Sequence, residues 1–482
     1  MNLRLVIKVV CALLLMIAAF MIAPIIVAVS YGEQEVIPSF LIPMAGVLVG
    51  PGVYLLLTLR TKGALSTQSG FFLVTVSWLG AAALGAVPFV LSGHIPSYTD
   101  AFFETMSGFT TTGATILTDI EALPRSLLFW RSLTHWLGGM GIIVLTVAIL
   151  PLLGVGGYQL MKAEAPGPSV DKLTPKITET AKILWLLYVG LTVLETVLLV
   201  AGGMSLYDAL AHTFGTLATG GFSPKAASVG AYSSPFVHIV ITVFMLAAGV
   251  NFILYYRLLV GQARVLRQNT ELKAYLIIFA VATIIIAVVL TGRSYETFGE
   301  SLRYAGFQAA SILTTTGYAT ADFALWPELA RVVLFVLMFI GGSAGSTGGG
   351  IKVARIVTVI KQGFNEMRYL LHPRGVFSIR LNGQTIRKNV VYSITGFTFL
   401  YIFLLLITTL VVATGGHDIV TSLTTGLATL GNIGPGFGRV GPVENYGFYQ
   451  DYIKWFLSFI MMVGRLEIYT VLVLVTPGFW RT

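Results

Sequence analysis

Four short segments rich in glycine and threonine contain the residue types that could bind a cation. In each of them a small residue precedes a final glycine by six positions. The segments are residues 107–113, 215–221, 311–317 and 428–434. Glycine permits backbone turns that are closed to other residues, and a ring of backbone carbonyls can replace the hydration shell of a monovalent cation without a charged side chain. The spacing therefore predicts a carbonyl-lined cation site.

The candidate ion-binding residues come from all four turns. They are Thr110, Thr111, Thr112 and Gly113, then Thr219, Gly220 and Gly221, then Thr315, Thr316 and Gly317, and last Asn432, Ile433 and Gly434. The second turn has Ala218 and Thr219, and the fourth has Asn432 and Ile433, where the other two have a pair of threonines. Such an asymmetric set should discriminate between ions less sharply than four identical turns would.

The elements that must position these turns form a repeat. After two leading spans at about 5–29 and 37–59, each unit has an apolar span, a short segment, the turn and a second span. The short segments at 100–109 and 208–217 are about 15 Å long as helices, too short for a hydrocarbon core of ~30 Å. Each should begin with Asp100 or Asp208 as its N-cap and return on the side where it entered. Four such re-entrant loops predict a fourfold pseudo-symmetric pore, although tight loops between ordinary helices stay possible.

The composition fits an all-α integral membrane protein. Of 482 residues, 56% are hydrophobic and 11% charged, and such a chain cannot cover soluble domains with charge. Most basic residues fall on the side that carries both termini, which places the termini in the cytoplasm. No soluble domain is left to bind nucleic acid, and the single Cys11 excludes a disulfide framework. The expected units are 1–66 (two N-terminal transmembrane helices), 67–155 (repeat one), 156–265 (cytoplasmic loop and repeat two), 266–360 (repeat three) and 361–482 (cytoplasmic loop and repeat four).

A glycine run at 341–350 interrupts the second span of repeat three. Glycine costs about 1 kcal/mol per helical residue relative to alanine, so the run should unwind. It is not a nucleotide-binding loop, because Ile351 stands where that pattern requires lysine. We interpret it as a movable gate, with a kinked structural helix as the alternative. The predicted gate residues are Gly345, Ser346, Thr347, Gly348, Gly349, Gly350 and Arg465.

A few polar residues are predicted to lie inside the membrane. Arg465, in the last span, should face the cavity, repel cations and contact the glycine run, unless it forms an ion pair with another helix. Glu195 is expected in a hydrogen-bonded structural role, and His135 and Asn251 in polar contacts between helices.

Two other function classes, an enzyme and a secondary symporter, predict different residue patterns. An enzyme would need paired carboxylates, a Ser/His constellation or a metal-ligand spacing, and the acidic and histidine residues are not arranged in any of these ways. A secondary symporter that couples the monovalent cation to H⁺ or Na⁺ stays open, although such folds often use inverted repeats. Discrete single-channel openings would indicate a channel, whereas proton co-movement would indicate a symporter.

Several motifs resemble those of one family. They are residues 110–115, 135–144, 220–223, 341–350 with Lys352, 431–436 and 464–467. With them the chain resembles the Trk/Ktr/HKT superfamily of K⁺ or Na⁺ transporters, and within it the TrkH-type potassium transporter subunits. The resemblance implies K⁺ uptake across the bacterial inner membrane by a multi-pass homodimer with one pore per subunit.

The resemblance also implies a partner. A TrkA-type cytosolic regulatory subunit would carry the NAD or ATP/ADP sites, and this chain would bind no cofactor tightly. The basic loops at 155–181, 257–272 and 361–387 are the expected contact region, although the positive-inside rule alone would explain their charge.

Overall fold

The computed structural model describes residues 2–61, 63, 65–141 and 177–481. Within these residues the regular secondary structure is helical apart from two short strands, Arg380–Leu381 and Gln384–Thr385. Six helices are long and apolar enough to cross a membrane, or up to seven if one bent pair counts as a span. The predicted all-α membrane fold is therefore confirmed.

The helices follow the predicted order, with a first helix, a short helix and a second helix in each repeat. The leading hairpin has Leu3–Phe20, Ile22–Tyr31, Ile37–Val47 and Val53–Leu57. Repeat one has Thr67–Leu91, Tyr98–Phe109 and Arg125–Trp136. Repeat two has Ile177–Ala201, Leu206–Leu217, Pro235–Ala248 and Phe252–Leu259, followed by Arg264–Gln268. Repeat three has Thr270–Leu290, Phe298–Leu313, Glu328–Leu337 and Val353–Leu371. Repeat four has Lys388–Ala413, Ile419–Leu430, Asp451–Arg465 and Tyr469–Val475, followed by Pro477–Trp480.

Each short helix begins at a capping side chain. The caps accept the backbone N–H of the residue three positions later, and they are Ser97, Ser205, Thr297 and Asp418. The expectation that Asp100 and Asp208 are the N-caps is wrong. Both lie in the first turn of their helices, where a carboxylate faces the positive end of the helix dipole, and both donate their N–H to the capping serine. A serine cap followed three residues later by an acidic residue explains why the aspartates marked the helix start.

The second helices of repeats two, three and four are broken. In repeat two the halves are bent by 96°, and in repeat three the helix stops at Leu337 and resumes at Val353. In repeat four it stops at Arg465, and Glu467 and Ile468 have φ values of 58° and 52°. The second helix of repeat one ends in a π-helical turn, Leu137–Gly141, and its continuation lies outside the described residues. Only the break at the glycine run was predicted.

The leading hairpin docks on repeat one through a carboxylate. Glu33, between the two leading spans, accepts the N–H groups of Arg125 and Ser126 at 2.7 and 2.9 Å and the Ser126 hydroxyl at 2.6 Å. It therefore caps the second helix of repeat one from outside the repeat. Lys8 is buried in the same hairpin and donates to the carbonyls of Leu59 and Thr61.

The predicted cytoplasmic loops have more structure than expected. The helix after the glycine run continues to Leu371, and a hairpin with Asn382 and Gly383 at its turn follows, so 361–387 is not an open loop. Asn-Gly is the turn sequence such a hairpin favours. Of the loop at 155–181, residues 155–176 lie outside the described part of the chain. The boundaries proposed for the units stay a prediction.

Candidate cation-binding site

All four short helices end in the same backbone motif. The residue after each helix C-cap is left-handed, with φ of 52° at Thr111, 56° at Thr219, 60° at Thr315 and 53° at Asn432. The next N–H bonds back to the carbonyl of the small residue that lies six positions before the glycine, at 2.8–2.9 Å in all four turns. This is a Schellman helix end. The small residues that marked the repeat in the sequence are thus the acceptors of this bond.

Three of these left-handed residues are threonines, which is unusual. A β-branched residue at positive φ is an outlier, and the left-handed conformation costs an L-residue about 1–2 kcal/mol. The four residues are fully buried, so surrounding contacts rather than intrinsic preference hold them. Strain of this kind is concentrated at functional sites, where the structure around it over-determines the conformation.

The four turns close into a ring at their final glycines. Gly113, Gly221, Gly317 and Gly434 all have positive φ, between 81° and 92°. A Cβ built on any of them would lie under 3.0 Å from the carbonyl oxygen of the residue before the glycine in the next repeat. Gly113 faces the carbonyl of Gly220, and Gly221 faces that of Thr316. Gly317 faces the carbonyl of Ile433, and Gly434 faces that of Thr112. Glycines and carbonyls therefore alternate around a closed ring in the order of repeats one to four.

The ring brings together most of the predicted ion-binding residues. Thr110 supports the first turn from within, since its hydroxyl bonds to the Thr112 hydroxyl at 2.8 Å. Within the described residues, no group of three or more His, Cys, Asp or Glu could hold a metal ion. The ring instead offers neutral oxygens, and the C-terminal, partially negative ends of four short helices lead into it. Such an arrangement suits a monovalent cation.

His135 explains why the second turn has Gly220 where the first and third turns have Thr112 and Thr316. Its ring packs behind the turn, where Nδ1 lies 2.7 Å from the Gly108 carbonyl oxygen. A Cβ at Gly220 would lie under 3.0 Å from this imidazole. The ring also stacks on Phe222 at 4.1 Å. The bond to Gly108 joins two helices, as predicted for His135, and the imidazole in addition lies against the second turn.

The glycine run is unwound, as predicted, and packs directly against the turns. The Gly349 N–H donates to the Thr315 hydroxyl at 2.7 Å. A Cβ at Gly349 would lie under 3.0 Å from the Gly431 carbonyl oxygen. The Thr347 hydroxyl donates to the Ala248 carbonyl, at the break in repeat two. The run is thus seated between the ring and the broken second helices.

Arg465 joins three of these parts. It donates to the Thr111 hydroxyl at 3.0 Å and to the Thr347 carbonyl at 2.7 Å. It also donates to the carbonyls of Gly138 and Gly139, both at 2.7 Å, at the end of the described second helix of repeat one. The predicted contact with the glycine run is present. Glu467, two positions after Arg465, forms an ion pair with Arg355.

Three more side chains anchor the glycine run, and sequence reasoning missed them in this role. Glu271 accepts the N–H groups of Ala344 at 2.8 Å and of Ala354 at 3.0 Å, so one carboxylate holds the run and the start of the following helix. Lys352 donates to the carbonyls of Gly348 and Gly349. Asn251, expected in a contact between helices, instead caps the helix after the break in repeat two and lies against Gly345. These three anchoring roles depend on contacts between segments that are distant in the sequence, which no local sequence pattern reveals.

Remaining predicted gate residues lie in the same loop. Gly345 and Gly350 have φ of 74° and 61°, and the Ser346 hydroxyl closes a local turn on the Ser343 carbonyl at 2.6 Å. Gly348 packs near the Thr314 carbonyl. Glu195 is fully buried and lies near the Thr216 side chain, and its expected hydrogen-bonded role stays a prediction.

Comparisons with known proteins agree on one family. The family model TrkH, described as a cation transport protein, matches residues 48–480. The chain is 40% identical to the Trk system potassium uptake proteins TrkH of Salmonella typhimurium and of Halomonas elongata, with all of each chain covered. The crystal structure of the potassium transporter TrkH from Vibrio parahaemolyticus superposes with a TM-score of 0.89, at 37% identity and with full coverage of both chains.

The closed ring makes a prediction about its glycines. Serine at Gly113, Gly221 or Gly317 should push the neighbouring carbonyl out of the ring and relax the selectivity among monovalent cations, as measured by competition between K⁺ and Na⁺ in flux assays. Gly93→Ser is the matched control, because Gly93 also has positive φ (74°) but nothing within 4 Å of its Cβ position. It should cost about 1–2 kcal/mol of strain and leave the selectivity unchanged. Normal selectivity in all three ring variants would contradict the assignment.

Proposed function

The chain belongs to the TrkH family of cation transport proteins, and we propose that it takes up K⁺ across the bacterial inner membrane. The observation that carries the proposal is the closed ring of four glycines and four carbonyls. Ions would bind the carbonyl oxygens of the turns, which serve as the selectivity filter. The preference for K⁺ is supported by relatives whose names describe potassium uptake, since the ring chemistry alone specifies only a monovalent cation.

The proposed gate consists of the glycine run and Arg465. An uncharged loop can block an ion only sterically, whereas a guanidinium adds an electrostatic barrier. Two unit charges 4 Å apart repel by about 4 kcal/mol at an effective dielectric constant near 20, and water in the cavity lowers this value. The hydrogen bonds of Arg465 to Thr111 and Thr347 support joint action, because one side chain contacts both filter and loop.

Regulation through a cytosolic partner is part of the proposal. The helix Val353–Leu371 follows the glycine run directly, and it exposes Ile360, Phe364 and Met367 along one side. A TrkA-type subunit that moves this helix would withdraw the run and open the pore. That subunit, rather than this chain, would bind NAD or ATP/ADP. The assembly would be a homodimer with both termini of each chain in the cytoplasm.

A K⁺/H⁺ symporter is the second candidate, and Glu195 is the observation that favours it. A fully buried carboxyl group, in a helix that packs on the short helix of repeat two, could carry a proton. Glu195→Gln separates the two mechanisms. A channel would keep its K⁺ flux and show discrete single-channel openings, whereas a symporter would lose its proton-coupled uptake.

Expression of the chain should restore growth of a K⁺-uptake-deficient bacterial strain on limiting K⁺. The expected result is rescue that Na⁺ does not replace, because the proposed filter distinguishes the two ions. Membrane insertion is checked in parallel by immunoblot of the membrane fraction. A well-inserted protein that fails to rescue would contradict the proposal.

Opening the gate should raise flux without the partner. Deletion of 345–349, or Arg465→Ala, removes the steric or the electrostatic barrier, so K⁺ flux into liposomes should rise severalfold over the wild-type chain. Arg368→Ala is the control, since Arg368 is an exposed arginine on the helix after the run. Unchanged flux in both gate variants, with the protein correctly folded, would place the gate elsewhere.

The chain should co-purify with a TrkA-type subunit, and nucleotides should change transport only when that subunit is present. The physical reason is that the nucleotide sites are expected on the partner, while the chain contributes the pore. Nucleotide-responsive transport by the chain alone would argue against this division of roles.

A further inference from the structure

A buried polar residue lies nine positions before the filter glycine in every repeat. These residues are Glu104, His212, Gln308 and Thr425. In the first three repeats the side chain bonds to the stretch that follows the glycine of its own turn, and in the fourth it bonds to Tyr449 further along. In repeats one to three the short helix thus braces the segment that leaves the ring.

The brace in repeat one is the one that carries charge. Glu104 accepts the Thr115 hydroxyl and the Ile116 N–H, both at 2.9 Å. The same carboxylate pairs with Arg131 at 2.5 Å, and the two side chains are 0% and 3% exposed. His212 and Gln308 make single neutral hydrogen bonds in the corresponding places, to the Ser223 hydroxyl and the Tyr318 carbonyl. The first turn is therefore held by three interactions to one carboxylate.

Arg131 extends this brace across the boundary to repeat two. Its Nη1 donates to the Ser223 carbonyl at 3.0 Å, and its guanidinium lies 3.5 Å from the centroid of the Phe222 ring. Both residues directly follow Gly221, the ring glycine of the second turn. One buried ion pair thus fixes the segments that follow two adjacent turns relative to each other.

We propose that the Glu104–Arg131 pair is a specificity-determining positioning element, which sets the spacing between turns one and two and so the discrimination between K⁺ and Na⁺. The inference rests on the proposed function of the ring as a K⁺ filter. Selection by carbonyl oxygens depends on their number and positions, and a binding site must hold its groups within about 0.5 Å of the productive geometry. A buried ion pair adds little net stability compared with apolar side chains of similar size, so fixing a geometry explains it better than stabilising the fold.

Glu104→Gln tests the proposal with the least change of shape. Glutamine already occupies this place in repeat three, and its carbonyl can still accept the Ile116 N–H, but the charge opposite Arg131 is gone. We expect the ratio of K⁺ to Na⁺ uptake into proteoliposomes to fall about tenfold, a loss of about 1.4 kcal/mol of discrimination. Thr115→Val is the second variant. It removes one hydrogen bond to Glu104 without unpairing Arg131, and it should shift the ratio in the same direction by a smaller factor.

Glu121→Gln is the matched control. Glu121 pairs with Lys225 at 3.2 Å between the same two repeats, but both side chains are exposed, so its loss should leave the ratio unchanged. If Glu104→Gln does not fold, as judged by size-exclusion chromatography, the result with Thr115→Val decides. An unchanged ratio in the folded variants, or equal losses of K⁺ and Na⁺ uptake, would overturn the inference and leave a merely structural pair. If the wild-type chain itself passes K⁺ no better than Na⁺, the proposed function is what fails.

Discussion

The close approach of a carbonyl oxygen to a glycine Cα in the neighbouring repeat is the constraint on which the rest of the structure depends. The approach leaves no space for a side chain at the four ring glycines and requires positive φ there. For the four turns to form such a ring, each short helix must end at the equivalent position relative to its ring glycine and in the same Schellman geometry. The helices in turn need caps at their starts, and the surrounding first and second helices supply the buried surface that keeps strained threonines in place.

Below the ring the fourfold symmetry is lost, and the left-handed residues show how. Thr111 accepts from Arg465 and Thr315 accepts from Gly349. Asn432 donates to the Thr112 hydroxyl and to the Met461 carbonyl. Within the part of the chain that the structure describes, the Thr219 hydroxyl, in contrast, donates only to the adjacent Ala218 carbonyl. Arg465 and the glycine run therefore form hydrogen bonds with the left-handed residues of repeats one and three, respectively. Any displacement of Arg465 or of the run must change these hydrogen bonds.

The sequence predicted the features that have a local signal, and it missed those that depend on contacts between distant segments. The four turns were visible because a small residue and a glycine recur six positions apart, and the unwound run because glycine is a poor helix former. The breaks after Ala248 and Arg465 have no comparable signal, since Ile468 is a β-branched residue that takes positive φ only under tertiary constraint. The residues nine positions before the glycines share a place but not a chemistry, so a search by residue type could not group Glu104 with His212 and Gln308. The anchoring role of Glu271 depends on loops more than 70 residues away, which no local pattern encodes.

The imidazole behind the second turn has a consequence for how such a pore can change over time. In an assembly of four identical subunits, a side chain that packs behind one turn would pack behind all four. The turn residue that it contacts would then have to be glycine in every subunit. Joining the four quarters in one polypeptide removes that coupling. His135 and Gly220 can then vary as a linked pair at a single boundary while the other three boundaries keep their own residues. A pore whose four quarters belong to one polypeptide can therefore specialise each quarter independently.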